Sequence, residues 1–241
     1  YREDGDKVDS FNTSSEMYRF IQTLTTLRHE HKVLSRGDLN VLAEESAGAG
    51  AFAYRRHMDG SDAYVILNTA SQTVLLNHMP TGLAAGSRLQ VIDALNQNTA
   101  QEIVTAEDGT LTLALPAKSA LLLLADGTGV IPPVDQSMTL TTELAGKVLS
   151  ADLPLSGTGT PGRTIKLVVD GNLDSATEVT VDSHGDWQAT LAIRDFQMGT
   201  QNHRLALYEA ADGSSLPDIH FQSQLTYPDT PAITLDDSGD A

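Results

Sequence analysis

Cysteine is absent from the 241 residues, which excludes disulfide frameworks, thiolate metal sites and cysteine nucleophiles. Aromatic residues make up only 5%, with a single tryptophan, leaving few rings to stack on planar or ring-shaped ligands. Lys and Arg number 15 against 32 Asp and Glu, a formal charge of −17. That charge repels phosphate backbones and anionic lipid surfaces, so neither nucleic acid nor membrane is an expected partner. No apolar run approaches the roughly 18 residues of a membrane span; the longest is Ala120 to Ala125. Gly-x-Ser-x-Gly elbows and phosphate-cradling glycine loops are missing too. Gly157-Thr-Gly159 leads into a proline turn and a strand, so it reads as a bend.

What is present has the balance of a folded protein, 40% apolar and 20% charged, without the apolar-poor signature of disorder. At about 100–200 residues per domain the length suggests two. The opening Tyr1-Arg-Glu-Asp-Gly-Asp-Lys7 carries no signal-peptide pattern and reads as the middle of a loop, so a fragment is expected.

Thr13 followed by Glu16 has the spacing of a capping box. Met17, Phe20, Ile21, Leu24 and Leu27 then fall on one face of a helix predicted over about 14–31. Beyond Gly37 the pattern becomes short β-rich runs separated by Gly, Asn and Asp. Eight strands are predicted between Leu39 and Ala125, and six more between Val148 and Tyr227. The fold class is therefore mainly β: two consecutive antiparallel β-sandwiches preceded by one amphipathic helix. The expected divisions are a helical segment over 1–35, a first sandwich over 36–127, and a linker over 128–134 containing Pro132-Pro133. A second sandwich over 135–229 and a tail over 230–241 complete the chain.

Tyr18-Arg-Phe-Ile-Gln-Thr-Leu-Thr-Thr-Leu-Arg28-His-Glu-His-Lys-Val-Leu-Ser-Arg-Gly37 resembles the last barrel helix and exit of the α-amylase superfamily, glycoside hydrolase family 13. Ala51-Phe-Ala-Tyr-Arg-Arg56 followed by Tyr64-Val-Ile-Leu-Asn68 is similar to the strand pair that opens that family's C-terminal sandwich. Leu113-Ala-Leu-Pro-Ala-Lys-Ser-Ala-Leu-Leu-Leu-Leu124 resembles its closing strand. In the second half, Leu155-Ser-Gly-Thr-Gly-Thr-Pro-Gly162 and Asp182-Ser-His-Gly-Asp-Trp187 resemble bacterial immunoglobulin-like repeats.

The resemblance implies a parent enzyme, secreted to the outside or the periplasm of a bacterium, that acts on α-glucan with two carboxylates. Those lie upstream of the last barrel helix, so no catalytic residue is assigned in this chain. Its expected partners are the barrel and, through the parent, the glucan; no cofactor is expected, and a calcium ion would belong to the parent. If the helix stripe belongs against a barrel, it is expected here to be locally disordered, repacked or self-associated.

Residue patterns agree with the lack of chemistry. Glu44-Glu45 and Asp236-Asp237 are adjacent carboxylates, and neighbours on a strand point to opposite faces. His29 and His31 diverge on a helix, and Asp236-Asp-Ser-Gly-Asp240 lacks the spacing of a calcium loop; no metal ligands are assigned. Tyr54, Tyr64 and Trp187 are the candidate glucan-contacting rings, set against a reading of all three as core or interface residues. The alternatives are a bacterial surface scaffold and a stand-alone carbohydrate-binding protein.

Overall fold

The computed structural model describes residues 12–46, 48–93, 101–130 and 138–226. Asn12 forms a turn in which its side-chain and backbone oxygens accept from the Ser14 and Ser15 amides. That turn takes up Thr13, so the helix cap expected there falls on Ser15, whose Oγ accepts from the Tyr18 amide at 3.2 Å. Helix α1 (Glu16–Glu30) carries Arg28 and His29 in its last turn, where the dipole favours cations. The chain breaks at His31, and a second helix, α2 (Lys32–Arg36), turns Val33 and Leu34 into the protein. The apolar periodicity did not distinguish α2 from α1.

The next eight elements are β1 (Asp38–Glu44), β2 (Ala51–Met58), β3 (Ser61–Asn68), β4 (Val74–Pro80), β5 (Ser87–Asp93), β6 (Gln101–Val104), β7 (Thr110–Leu115) and β8 (Ala120–Val130). A six-stranded sheet of order β1-β2-β3-β8-β5-β6 faces the pair β4-β7. Asp59 and Gly60, both at positive φ, make the tight turn that joins β2 to β3. Tyr64, Ile66, Leu89 and Leu123 from the large sheet meet Leu76, Met79, Leu111 and Leu115 from the pair. The buried Tyr64 hydroxyl donates to the Thr81 carbonyl at 2.8 Å, and burial pushes the phenol's pKa up. Asn68 is buried because its amide donates to the Leu115, Pro116 and Gln72 carbonyls, tying two loops together. Strand β8 reaches Val130, which pairs with Ser87. Residues 128–130 of the expected linker are thus strand, and the rest of it lies outside the described residues.

The second half contains β9 (Thr139–Leu140), β10 (Val148–Leu149), β11 (Leu153–Thr158), β12 (Thr164–Val169), β13 (Thr177–Thr180), β14 (Asp186–Leu191), β15 (Gly199–Glu209) and β16 (Ile219–Leu225). A five-stranded sheet, β10-β16-β15-β12-β13, packs on a three-stranded one, β14-β11-β9. Among the described residues, all strand pairings are antiparallel except β10 with β16. The single strand predicted over 148–155 is two, one in each sheet. Asp152 sits at the crossing and accepts from the Ile193 amide at 2.9 Å. Trp187 is 2% exposed among Leu155, Ile165, Leu205 and Phe221, and its indole donates to the Thr158 carbonyl at 3.1 Å.

The two halves are sewn together. Leu75 points away from the first core and joins Val168, Ala206 and Tyr208 on the outer face of the five-stranded sheet. Around it the Leu75 amide donates to the Gly171 carbonyl at 2.7 Å and the Leu173 amide to the Thr73 carbonyl at 3.1 Å. A bulge in β4 between Leu76 and Met79 puts His78 at φ 47° and aims its Nε2 at the Ser215 carbonyl, 3.0 Å away. Asn77 donates to the Leu216 carbonyl and to Asp218, while Arg204 faces Glu45 at 3.4 Å and Asp218 at 3.7 Å.

A Cβ at Gly157 would meet the Thr139 carbonyl and Trp187 Cζ2, so Gly157→Ala should cost about 1–3 kcal/mol through overpacking, read as a lower melting temperature with the single-tryptophan emission as reporter. Calorimetry of the intact chain should show one transition. Leu75→Ala combined with Asn77→Ala opens a cavity worth about 2–5 kcal/mol at the seam and should split it into two.

Candidate functional site

Pairing register sorts the six-stranded sheet into rows. Leu39 lies beside Arg56, Arg56 beside Ala63 and Ala63 beside Leu124; Val41, Tyr54, Val65, Leu122 and Ile92 form the next row. These side chains point away from the sandwich core, because Tyr64 and Leu123 in the alternating positions point into it. The outer face of this sheet is therefore apolar as well. One corner is covered: Val33, Leu34 and Leu27 pack on Ala63, Ile92, Leu122 and Leu124.

The remainder is open. Leu39 and Val41 are 56% and 45% exposed, and Phe52 and Tyr54 are half-buried with ring centroids 5.9 Å apart. Arg56 Nε, in the same outward row, is shielded from solvent yet has no hydrogen-bond partner among the described residues. Helix α1 has no buried residue, with Met17 67% and Ile21 55% exposed. Phe20 and Leu27 are half-buried, so the expected apolar stripe divides into an inward and an outward edge.

On the opposite surface of the same sheet, Asp62 is buried, with Oδ1 bonded to Arg55 Nε at 2.5 Å and 2.8 Å from His57 Nδ1. The hydrogen bond to Asp62 is the main reason the Arg55 pKa is raised. This cluster fixes the β2–β3 register from within.

The second sandwich holds a constellation with the order of a hydrolytic triad. Ser223 Oγ lies 3.0 Å from His203 Nε2, and His203 Nδ1 lies 2.7 Å from Asp170 Oδ2. Geometry of this kind activates a serine only where an acyl group can reach it and an oxyanion can be stabilised. Ser223 is fully buried, and the His203 ring lies against Phe196 and Phe221 with centroids 4.2 and 5.3 Å away. The trio closes the polar end of a core. Among the described residues no three His, Asp or Glu side chains gather in a group able to hold a metal ion.

The three candidate sugar-contacting rings separate. Tyr64 and Trp187, at 0% and 2% exposure, offer no face to a ligand, which corrects their candidacy: both are core residues whose polar atoms are satisfied internally. Tyr54 lies on the open face. Its neighbours there are Val41 and Val65, aliphatic groups that exclude water without offering hydrogen bonds to sugar hydroxyls. Glu45, read from sequence as half of an inert carboxylate pair, instead reaches across the seam to Arg204. Sequence reasoning did not single out Leu39 or Val41, and took Arg56 only as a surface or interface charge. The signal available was Leu121-Leu-Leu-Leu124, a run without alternation and hence a strand covered on both faces.

No family model and no curated protein matches the chain. Among solved structures, it is similar to a γ-CGTase from alkalophilic Bacillus clarkii, with 16% identity over 89% of this chain and 30% of that one and a TM-score of 0.39. An Anoxybacillus α-amylase has 24% identity over 50% of this chain and 25% of its own, TM-score 0.40. The α-amylase of Geobacillus thermoleovorans has 22% identity over the same shares, TM-score 0.40. The chain thus spans about a third of the first of these and a quarter of the others, and similarity at this level bears on neither activity nor substrate. No helix among the described residues is long and apolar enough to cross a membrane.

Ser223 tests the reading of the buried trio. A fluorophosphonate serine probe should leave it unlabelled in the folded chain, as judged by peptide mass spectrometry; labelling that is lost in His203→Ala would make it a nucleophile.

Proposed function

We propose that this chain is the non-catalytic C-terminal region of a secreted, α-glucan-acting glycoside hydrolase, and that its first sandwich stabilises the catalytic barrel. The observation that carries this reading is that the outer sheet face, at Leu39 and Val41, and the outward edge of α1, at Met17 and Ile21, each leave apolar side chains open. That helix is the one whose sequence resembles the family's last barrel helix. Burial of apolar area contributes about 25 cal/mol per Å², and surfaces of this kind mark interaction sites in soluble proteins. The unpaired Arg56 Nε is a donor for which a docked neighbour supplies an acceptor.

A protein neighbour suits this face better than a glucan does. Pyranose recognition needs polar groups beside the ring to fix hydroxyls, and the cross-strand neighbours of Tyr54 are Val41 and Val65, while Phe52 has Leu67 on one side and Glu44 on the other. The second sandwich, held by backbone hydrogen bonds at the seam, acts as a rigid extension of the first and spaces or weakly assists polysaccharide contact. Its aromatic rings among the described residues, Trp187, Phe196, Tyr208 and Phe221, are buried or half-buried.

The reading frame upstream of Tyr1 gives the test. A barrel with a pair of catalytic carboxylates supports the proposal, and further immunoglobulin-like repeats in its place would overturn it in favour of a surface scaffold. With the purified chain, soluble starch or pullulan should release no reducing sugar, and mobility in native gels should be unchanged by either glucan.

A further inference from the structure

Thr25, Arg28, His29, Lys32, Ser35 and Arg36 line one concave notch of about 470 Å³ between α1 and α2. Every residue of that lining is a cation, a histidine or a hydroxyl, in a chain whose formal charge is −17. Arg28, Lys32 and Arg36 form no ion pair with any described residue. Most other arginines do: Arg55, Arg88, Arg163, Arg194 and Arg204 each face a carboxylate. The two hydroxyls are already used, since Thr25 donates to the Ile21 carbonyl at 2.8 Å and Ser35 to the Lys32 carbonyl at 3.1 Å. Free donors in the notch therefore come from the charged groups and His29, and they match an acceptor-only ligand such as a carboxylate.

The notch continues the open edge of α1. Met17, Ile21, Leu24 and Arg28 follow at spacings of four, three and four residues, which places them in one line along the helix. Whatever covers the apolar part of that line meets the cations at its end. A small free anion would fill the notch and leave Met17 and Ile21 in water, whereas a protein surface covers both. We infer that the α1–α2 notch is a carboxylate-binding site within the docking face, and that it receives acid side chains of the protein that covers α1. This rests on the reading of α1 as a helix packed against a barrel, and it adds the chemistry of the opposing surface: an apolar strip ending in an acidic cluster. Charge complementarity of this sort fixes register and suppresses wrong partners more than it adds affinity.

The test uses the chain itself, with citrate as a carboxylate probe at matched ionic strength, followed by backbone amide NMR. Shifts confined to residues 25–36 are expected, with binding weakened about tenfold or more in Arg28→Ala/Lys32→Ala/Arg36→Ala. All three residues are exposed, so the variant should keep the wild-type circular dichroism. Shifts spread over all the cations, or unchanged in the variant, would overturn the site. Tighter binding of pyrophosphate than of citrate would overturn the carboxylate assignment in favour of a phosphoryl ligand. The reading frame upstream of Tyr1 separates this inference from the proposal beneath it. A barrel found there with citrate leaving the notch unmoved refutes the notch alone; no barrel, with citrate bound, refutes the barrel alone.

Discussion

A strand in an antiparallel sandwich ordinarily alternates, one side chain to the core and the next to water. Several strands of this protein do not, and most of its architecture follows from having to cover their second faces. In β8, Leu121 and Leu123 serve the first core while Leu122 and Leu124 face outward. In β12 and β15, Leu167, Leu205 and Leu207 serve the second core while Val168, Ala206 and Tyr208 face outward. Each outward set has to be met by another element, because apolar area left in water is unfavourable.

The chain solves this problem internally at the seam and leaves part of it open at the helix. At the seam, Leu75 closes over Val168 and Ala206, and backbone donors and acceptors of β4 meet the Gly171–Leu173 turn. The ion pairs around Arg204 are half-exposed and contribute little by comparison, so apolar closure and backbone pairing hold the halves in register. On the six-stranded sheet, among the described residues, only the corner under α2 and Leu27 is closed. Leu39, Val41 and the outward edge of α1 remain open, which is why this surface, and no polar pocket, carries the functional reading.

Polar geometry without access is a separate lesson of the second sandwich. Ser223, His203 and Asp170 satisfy the distances of a triad because hydrogen-bonding groups at the end of a core must pair somewhere. Burial decides between pairing for stability and pairing for chemistry. The same logic separates Tyr64 and Trp187 from Tyr54: all three are aromatic rings with a polar atom, but the first two are buried and Tyr54 is half-buried.

Periodicity, turn residues and composition by themselves determined that the chain is mainly β with one long amphipathic helix. They located most strands to within a few residues, because alternation and Gly or Asp turns are local properties of the chain. The short β9, the break at His31, the division of 148–155 between two sheets and the cap at Ser15 were not legible. Each depends on a competing hydrogen bond or packing partner that local pattern does not contain. The site was legible only in part: the helix stripe and Tyr54 were visible as candidates, whereas the exposure of Leu39 and Val41 and the burial of Tyr64 and Trp187 were not. Which face of each sheet is covered, and by what, was decided by tertiary structure alone, since burial is a relation between segments far apart in sequence.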